Sequence, residues 1–284
     1  MSDLQLQSSK IGFMQGRLSS LVDGKIQAFP WDDWRLEFAE ADTLGIRIME
    51  WTLDQENLRS NPMMTERGRE EIKLLCQKFN LSIPSLTGDC FMQSPFWKAK
   101  DKDKSALEED FISIISSCEK LGIKFIVVPL VDNGSIKNDQ HLNSLFSFFN
   151  RIDNILRENS VNIIFESDYE PLKLKDFIDN LDPKFYGINY DIGNSAALGF
   201  NPIEEFLAYG DRIMNVHVKD RPLGGTTVPL GEGDANLALV FKLLKEYSYE
   251  GNYILQTARS SSGKHSLVLE GYKNQVINWL LENR

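Results

Sequence analysis

Eight short apolar runs alternate with longer amphipathic segments along this 284-residue chain. Each run is rich in Ile, Val, Phe and Tyr and ends at a polar residue or a turn, which predicts a buried strand. The predicted strands are IGFMQ from Ile11, IRIMEW from Ile46, LSIPSL from Leu81, IKFIVVPL from Ile123, VNIIFES from Val161, FYGINYD from Phe185, RIMNVHVKD from Arg212 and GNYILQT from Gly251. Such an alternation favours parallel strands joined by crossover helices.

Helices are expected between these strands, and several of their ends are visible in the sequence. Gly45 and Gly122 follow two of the segments, as glycine does where a helix ends in the left-handed conformation. Asn201 and Asp234 are predicted N-caps, and Asn201 is followed by proline at the first helical position. The predicted helices occupy residues 34–44, 107–121, 202–209, 235–247 and 267–281.

The strand–helix unit repeats eight times, and closed barrels of eight such units run to about 250 residues or more as one domain. We therefore expect residues 1–284 to form a single domain with the α/β fold of a (β/α)8 TIM barrel. The alternative is an open doubly wound sheet. Its nucleotide-binding form carries G-x-G-x-x-G after the first strand, and no such motif follows the run that begins at Ile11.

The overall charge and the cysteine content indicate which binding partners and which cellular compartment to expect. A formal net charge of -10 repels phosphate backbones, so nucleic acid is not expected as a partner. The three cysteines, Cys76, Cys90 and Cys118, are typical of a reducing compartment. No apolar signal segment begins the sequence and no run approaches the ~18 apolar residues of a membrane helix, so we expect a cytoplasmic protein without a membrane partner. Association with a second copy of the chain stays open.

Polar residues stand at the carboxyl ends of the predicted strands, where barrels gather their functional groups. They are Gln15, Glu50, Glu166, Asp191, His217 and Gln256. The alternation in the seventh strand places Asn215, His217 and Lys219 on one face, which we expect to point into the barrel mouth. Glu, Asp, His and Gln on four successive strands form an arc of oxygen and nitrogen ligands. This arc predicts a site for one divalent ion, Mn²⁺, Mg²⁺, Co²⁺ or Zn²⁺.

Seven segments carry a family resemblance over nearly the whole chain. They are IGFMQGRLS (11–19), LGIRIMEW (44–51), IIFESD (163–168), YDIGN (190–194), NVHVKDR (215–221), PLGEGD (229–234) and YEGNYIL (249–255). In this order they resemble the xylose isomerase-like barrel superfamily of sugar isomerases and epimerases. The resemblance is specific for the superfamily and does not name a substrate.

The resemblance implies a metal held by a Glu, an Asp, a His and a second Glu from the fifth to eighth strands. These positions fall on Glu166, Asp191, His217 and Gln256. It also implies that the two glutamates form an acid/base pair, in which one removes the proton next to a carbonyl and the other returns a proton on the opposite side. Gln256 departs from this pattern because an amide adds no charge to a metal site and takes no proton near neutral pH.

Further side chains at the same edge are candidates for holding the substrate. Arg17 follows the first strand, Arg221 follows the seventh and Arg259 follows the eighth. We expect these arginines either to bind a phosphate or carboxylate of the substrate or to form ion pairs with nearby acidic residues. Glu50 predicts either a contact to a sugar hydroxyl or a structural salt bridge. Asn194, in the turn after Asp191, completes the predicted substrate-binding set.

Three alternatives stay open at Gln256. Glu166 acts as the only base in an aldose–ketose isomerisation, or Lys219 supplies the second catalytic group, or the barrel binds a sugar without converting it. The prediction is a metal-dependent isomerase or epimerase of a small sugar or sugar phosphate, with an altered-function or non-catalytic sugar-binding barrel as the alternative. Apurinic-site endonucleases of the same superfamily hold several zinc ions through many histidines, and this chain has 3.

Overall fold

The computed structural model describes residues 7–282 and shows a closed barrel of eight parallel strands in the order of the sequence. The barrel closes where the first strand pairs with the last, with Ile11 opposite Tyr253 and Phe13 opposite Leu255. The strands are β1 (Ile11–Met14), β2 (Ile48–Thr52), β3 (Ser82–Thr87), β4 (Phe125–Leu130), β5 (Asn162–Ser167), β6 (Tyr186–Asp191), β7 (Ile213–Val218) and β8 (Tyr253–Leu255). The predicted fold, a single (β/α)8 TIM barrel, is confirmed.

Helices connect the strands, and one additional short helix follows each of β3 and β6. The described helices are α1 (Leu36–Thr43), α2 (Glu66–Phe79), α3 (Asp89–Gln93), α4 (Asp101–Leu121), α5 (Asp139–Asn159), α6 (Pro171–Asp179), α7 (Ile192–Leu198), α8 (Pro202–Tyr209), α9 (Leu237–Glu246) and α10 (His265–Glu282). No helix within residues 7–282 is long and apolar enough to cross a membrane.

The helix ends confirm some sequence predictions and correct others. Asn201 caps α8 through its side chain, which accepts a hydrogen bond from the backbone N–H of Ile203 at 3.0 Å. The prediction of Asp234 as a cap is wrong: Asn236 caps α9, and Asp234 instead accepts from the backbone N–H of Leu223 at 2.7 Å. A side chain that finds a partner in a neighbouring loop leaves the cap to the next suitable residue.

The main hydrophobic core lies between the barrel and its helices. On α5 the buried side chains recur at the spacing of one helix face, from Leu145 through Phe148, Phe149 and Ile152 to Leu156. Phe149 packs edge to face on Phe165 of β5, with ring centroids 5.4 Å apart. This packing fixes β5 and thereby the carboxyl end at which the candidate site begins.

A second, small cluster fills the inside of the barrel and consists of Met14, Ile48 and Ile254. Gly12 belongs to the inward-facing positions of β1, because a Cβ there would stand 2.5 Å from Cγ2 of Ile48 and 2.9 Å from Cδ1 of Ile254. Only a residue without a side chain leaves room for these two isoleucines.

We expect Gly12→Ala to destabilise the fold by about 1–3 kcal/mol, because the added methyl group overpacks the barrel interior. Thermal unfolding measures the change. Gly271→Ala is the matched control, since no atom lies within 4 Å of a Cβ at that helical position and Ala favours a helix. An equal melting temperature for Gly12→Ala and the parent protein contradicts the interior packing described here.

Candidate active site

Three predicted ligands meet at the carboxyl ends of β5, β6 and β7. One ligand atom each of Glu166, Asp191 and His217 lies within 4.8 Å of the other two, and all three residues are buried. Nδ1 of His217 is 3.2 Å from Oε2 of Glu166 and 3.8 Å from Oδ2 of Asp191. We call these three residues the ligand triad. Parallel pairing explains the meeting, because β6 and β7 set Asp191 beside His217 in register.

Asp191 has two separate tasks, one for each oxygen. Oδ1 caps α7 by accepting from the backbone N–H of Asn194 at 2.8 Å. Oδ2 accepts from Nζ of Lys219 at 2.9 Å. Burial acts to raise the pKa of Asp191, but the charges of Lys219 and His217 hold that pKa below its usual range. Asp191 is therefore ionised at neutral pH, as a metal ligand must be.

Two asparagine side chains orient Glu166. Nδ2 of Asn189, two residues before Asp191 on the same face of β6, donates to Oε2 at 3.0 Å. Nδ2 of Asn194 donates to Oε1 at 2.6 Å. Hydrogen bonds to both oxygens fix the plane of the carboxylate without neutralising it.

His217 is held from behind by Glu50, which is wholly buried. Nε2 of His217 lies 2.7 Å from Oε1 of Glu50, and this carboxylate also accepts from Ser85 at 2.7 Å, from Asn215 at 3.0 Å and from the hydroxyl of Thr87. Burial acts to raise the pKa of Glu50, yet the neighbouring imidazole holds it below its ordinary value. Burial acts to lower the pKa of His217, but Glu50 and the triad carboxylates hold it well above its usual value.

Lys219 lies beside the ligand triad and engages Gln256. Its Nζ donates to Asp191 at 2.9 Å, to Oδ1 of Asn194 at 3.0 Å and to Oε1 of Gln256 at 3.0 Å. The amide oxygen of Gln256 is thus a hydrogen-bond acceptor for an ammonium group. Its Nε2 donates to Oε1 of Gln27 at 3.0 Å. Gln256 as a metal ligand and Lys219 as a catalytic group stay predictions.

A cavity of about 490 Å³ opens in front of these residues. This is the size of site that a small ligand occupies. Of the predicted site residues, Glu166, Asn194, Lys219, Arg221 and Gln256 line it. The sequence reasoning did not identify several other polar lining residues, which are Gln27, Asp89, Gln93, Asp132 and Asp168. The β1–α1 loop that carries Gln27 has no motif that marks it, whereas only Gly88 separates Asp89 from the end of the third strand, and this position was the available signal.

Three predicted substrate-binding residues lie outside the cavity lining, and each makes hydrogen bonds within the fold. Arg17 donates to the carbonyls of Thr257 and Ile26, each at 3.0 Å. Burial and the nearby Arg259 lower the pKa of Arg17 to about 10. Arg259 donates to the carbonyl of Ser19. Glu50, the third, lies under His217, so of its two predicted roles the contacts favour the structural ion pair.

The sequence is similar to those of known proteins. The family model for the xylose isomerase-like TIM barrel matches residues 38–280. The chain belongs to this family. An inosose dehydratase from Clostridium botulinum is 24% identical over 228 residues, which cover 67% of this chain and 74% of that protein. A putative L-ribulose-5-phosphate 3-epimerase from Haemophilus influenzae is 25% identical over 240 residues, covering 78% and 83%.

A solved structure agrees with the fold of this xylose isomerase-like barrel. The IOLI protein, whose structure holds a zinc atom, superposes with a TM-score of 0.74 at 16% identity and covers 97% of this chain and 99% of its own. At that identity the likeness shows the fold. The relatives together indicate an enzyme that modifies sugars.

Proposed function

We propose that this protein is a metal-dependent isomerase or epimerase that removes the proton next to the carbonyl of a small sugar. One observation carries the proposal: the ligand triad adjoins a sugar-sized cavity through Glu166, which belongs to both. A buried carboxylate at the wall of a polar cavity is the arrangement that a general base requires.

The donor set of the ligand triad fits a divalent ion. Two carboxylate oxygens and one imidazole nitrogen converge, and the second ring nitrogen of His217 contacts Glu50, as metal-bound histidines require for orientation. We propose that Glu166, Asp191 and His217 hold the ion, and these donor types suit Mn²⁺, Mg²⁺, Co²⁺ or Zn²⁺. A bound ion would require the neutral imidazole of His217, whose pKa the surrounding carboxylates hold well above its usual value against the effect of burial.

The chain's own residues then carry the proton transfer. Glu166 takes the proton from the carbon, while Asn189 and Asn194 keep its carboxylate plane fixed. A bound divalent ion supplies electrophilic stabilisation for the oxygen that gains charge as the C–H bond breaks. Lys219 and Arg221 line the same cavity and hold its polar wall in place, Lys219 through Asp191 and Gln256 and Arg221 through Asn194 and Gly225.

The charges of the cavity favour an unphosphorylated sugar. Asp89, Asp132 and Asp168 line it together with Glu166. The two cations are already engaged: Lys219 binds Asp191, and Arg221 donates to the carbonyl of Gly225 at 2.6 Å and 2.9 Å. A phosphate ester carries a charge of about −1.5 to −2, and no uncommitted cation is present among the lining residues to receive it.

A second candidate reaction is the loss of water from a keto sugar or keto cyclitol. The inosose dehydratase from Clostridium botulinum gives the class of reaction. Gln256 favours it over a two-glutamate epimerisation because an amide returns no proton. Dehydration begins with the same proton abstraction by Glu166, so one experiment tests the shared first step.

We expect natively purified protein to hold about one divalent ion per chain and to exchange a carbon-bound proton of inosose, D-tagatose or D-fructose with D₂O. Chelation is expected to remove both properties and added Mn²⁺ to restore them. Elemental analysis measures the ion, and proton NMR measures the exchange.

His217→Ala is expected to lose both the ion and the exchange, because it removes the one nitrogen ligand of the triad. His141→Ala is the matched control, since His141 lies near the start of α5 outside the cavity lining. An ion that His217→Ala retains contradicts the ligand assignment. An ion without proton exchange points to a sugar-binding barrel that does not convert its ligand.

A further inference from the structure

Asp89 is a carboxylic acid at the cavity wall to which the reaction described so far gives no task. It is the first residue after β3 and Gly88, its exposed fraction is 7%, and it lines the same cavity as Glu166. Oδ2 accepts a hydrogen bond from Nε2 of Gln27 at 2.7 Å. Within residues 7–282 no hydrogen bond reaches Oδ1 of Asp89, and this oxygen keeps some solvent-accessible surface.

A chain of amides connects Asp89 to Gln256. Gln27 donates to Asp89 with its nitrogen and accepts from Nε2 of Gln256 with its oxygen at 3.0 Å. Arg17 donates to the same oxygen of Gln27 at 3.3 Å, which fixes the direction of the amide. The carboxylate nearest to Gln256 along this chain is therefore Asp89, although Gln256 itself transfers no proton.

The other titratable groups of the cavity lining are less suited to transfer a proton. Asp132 is exposed. Asp168 is half-buried, binds the hydroxyl of Ser135 and lies 4.0 Å from Lys137. Arg221 is held by Gly225 and Asn194, and Lys219 is held by Asp191. Among the described lining residues this leaves Glu166 and Asp89 as buried carboxylates.

We propose that Asp89 is the second proton-transfer residue of the site and works as an acid while Glu166 works as a base. The assignment rests on the proposed function. Glu166 takes the proton from the carbon next to the carbonyl, and the C–H electron pair moves toward the carbonyl oxygen. In epimerisation the proton of Asp89 then forms the new C–H bond on the other face of that carbon. In dehydration the electron pair returns to form a C=C bond, the C–O bond on the neighbouring carbon breaks, and the proton of Asp89 goes to the departing hydroxyl, which leaves as water.

The surroundings of Asp89 suit this role. Burial raises the pKa of Asp89 to about 7, and the negative charges of Asp54 and Glu166 act in the same direction. The hydrogen bond from Gln27 and the charge of His217 act in the opposite direction. A carboxylic acid that is half protonated near neutral pH both gives and takes protons efficiently. Because the acid must be protonated to act, turnover falls as the pH rises through about 7.

Asp89→Asn separates the two proton transfers. With inosose, D-tagatose and D-fructose in D₂O, we expect this variant to keep carbon–deuterium exchange within about threefold of the parent, because Glu166 is intact. We expect product formation to fall by about 10²- to 10⁴-fold. The fall of turnover above pH 7 should disappear with the acid.

Glu37→Gln is the matched control. Glu37 is also fully buried with a pKa raised by burial to about 7, but it binds the backbone N–H groups of Gly16 and Leu18 outside the cavity lining. We expect this variant to keep product formation and the fall above pH 7. Melting temperatures establish that both variants fold.

Two outcomes overturn the role of Asp89. Either Asp89→Asn forms product at the parent rate, or it loses exchange and product equally, which indicates an effect on Glu166 or on the fold. Absence of exchange in the parent protein with all three sugars overturns the proposed function, and the assignment of Asp89 falls with it.

Discussion

Replacement of Glu166 by glutamine is expected to slow carbon–deuterium exchange by about 10²- to 10⁴-fold, the range that removal of a general base produces. The variant keeps the shape of the side chain and loses its ability to accept a proton. In the parent protein Asn189 and Asn194 each donate to one of the two carboxylate oxygens of Glu166. In the variant one of these two donors faces an amide nitrogen instead of an acceptor. Exchange of the sugar proton in D₂O, followed by NMR, measures the loss.

Glu166 is also a proposed metal ligand, so the ion content of Glu166→Gln must be measured with its exchange rate. A neutral amide lowers the affinity for the ion, and saturating Mn²⁺ separates this effect from the loss of the base. Glu170→Gln is the matched control, because Glu170 is an exposed carboxylate in the same β5–α6 segment. Exchange at the parent rate in ion-loaded Glu166→Gln means that another group removes the proton.

Replacement of Glu50 by alanine is expected to cost about 3–5 kcal/mol of stability, the range for breaking a buried ion pair. Glu50 is wholly buried and receives hydrogen bonds from Ser85, Thr87, Asn215 and His217. Without the carboxylate these groups stay buried and lack their acceptor. For a domain of this size the melting temperature should fall by roughly 6–20 °C.

Glu246→Ala is the control for Glu50→Ala. Glu246 pairs with Lys242 on the surface of α9 at 3.7 Å, and both side chains are more than half exposed. Exposed pairs of this kind contribute about 0–1 kcal/mol, so the melting temperature should stay close to that of the parent. If Glu50→Ala has the same melting temperature as Glu246→Ala, the hydrogen-bond network under His217 does not stabilise the barrel.

The fold was predictable from the sequence because each of the eight strand–helix units has its own local sequence pattern. A short apolar run and an amphipathic segment are local patterns, and eight of them in order leave few architectures. Element ends were less predictable. α4 begins at Asp101 instead of residue 107, because its first turns are polar and carry no periodic apolar signal. The five-residue helix α3 is too short for any periodicity.

The triad was predictable for a similar reason, since parallel strands bring their carboxyl ends to one edge. Glu166 and Asp191 follow apolar runs near the ends of their strands, and His217 stands one residue before the end of the next strand on its polar face. Contacts across the barrel had no such signal. β2 and β7 are not neighbours, so the contact between Glu50 and His217 depends on the width of the closed barrel. Gln27 reaches the cavity from a loop, whose path depends on tertiary contacts such as the hydrogen bond from Arg17.

The pairing of β1 with β8 determines whether the cavity is complete. Gln27 and Gln256, 229 positions apart, bind each other and line the cavity, and outside the lining Arg17 binds the carbonyl of Thr257. The triad needs only β5 to β7, but this wall exists only while the last strand is docked on the first. We expect local opening of the final unit to remove this wall while the rest of the barrel, including the triad, stays in place.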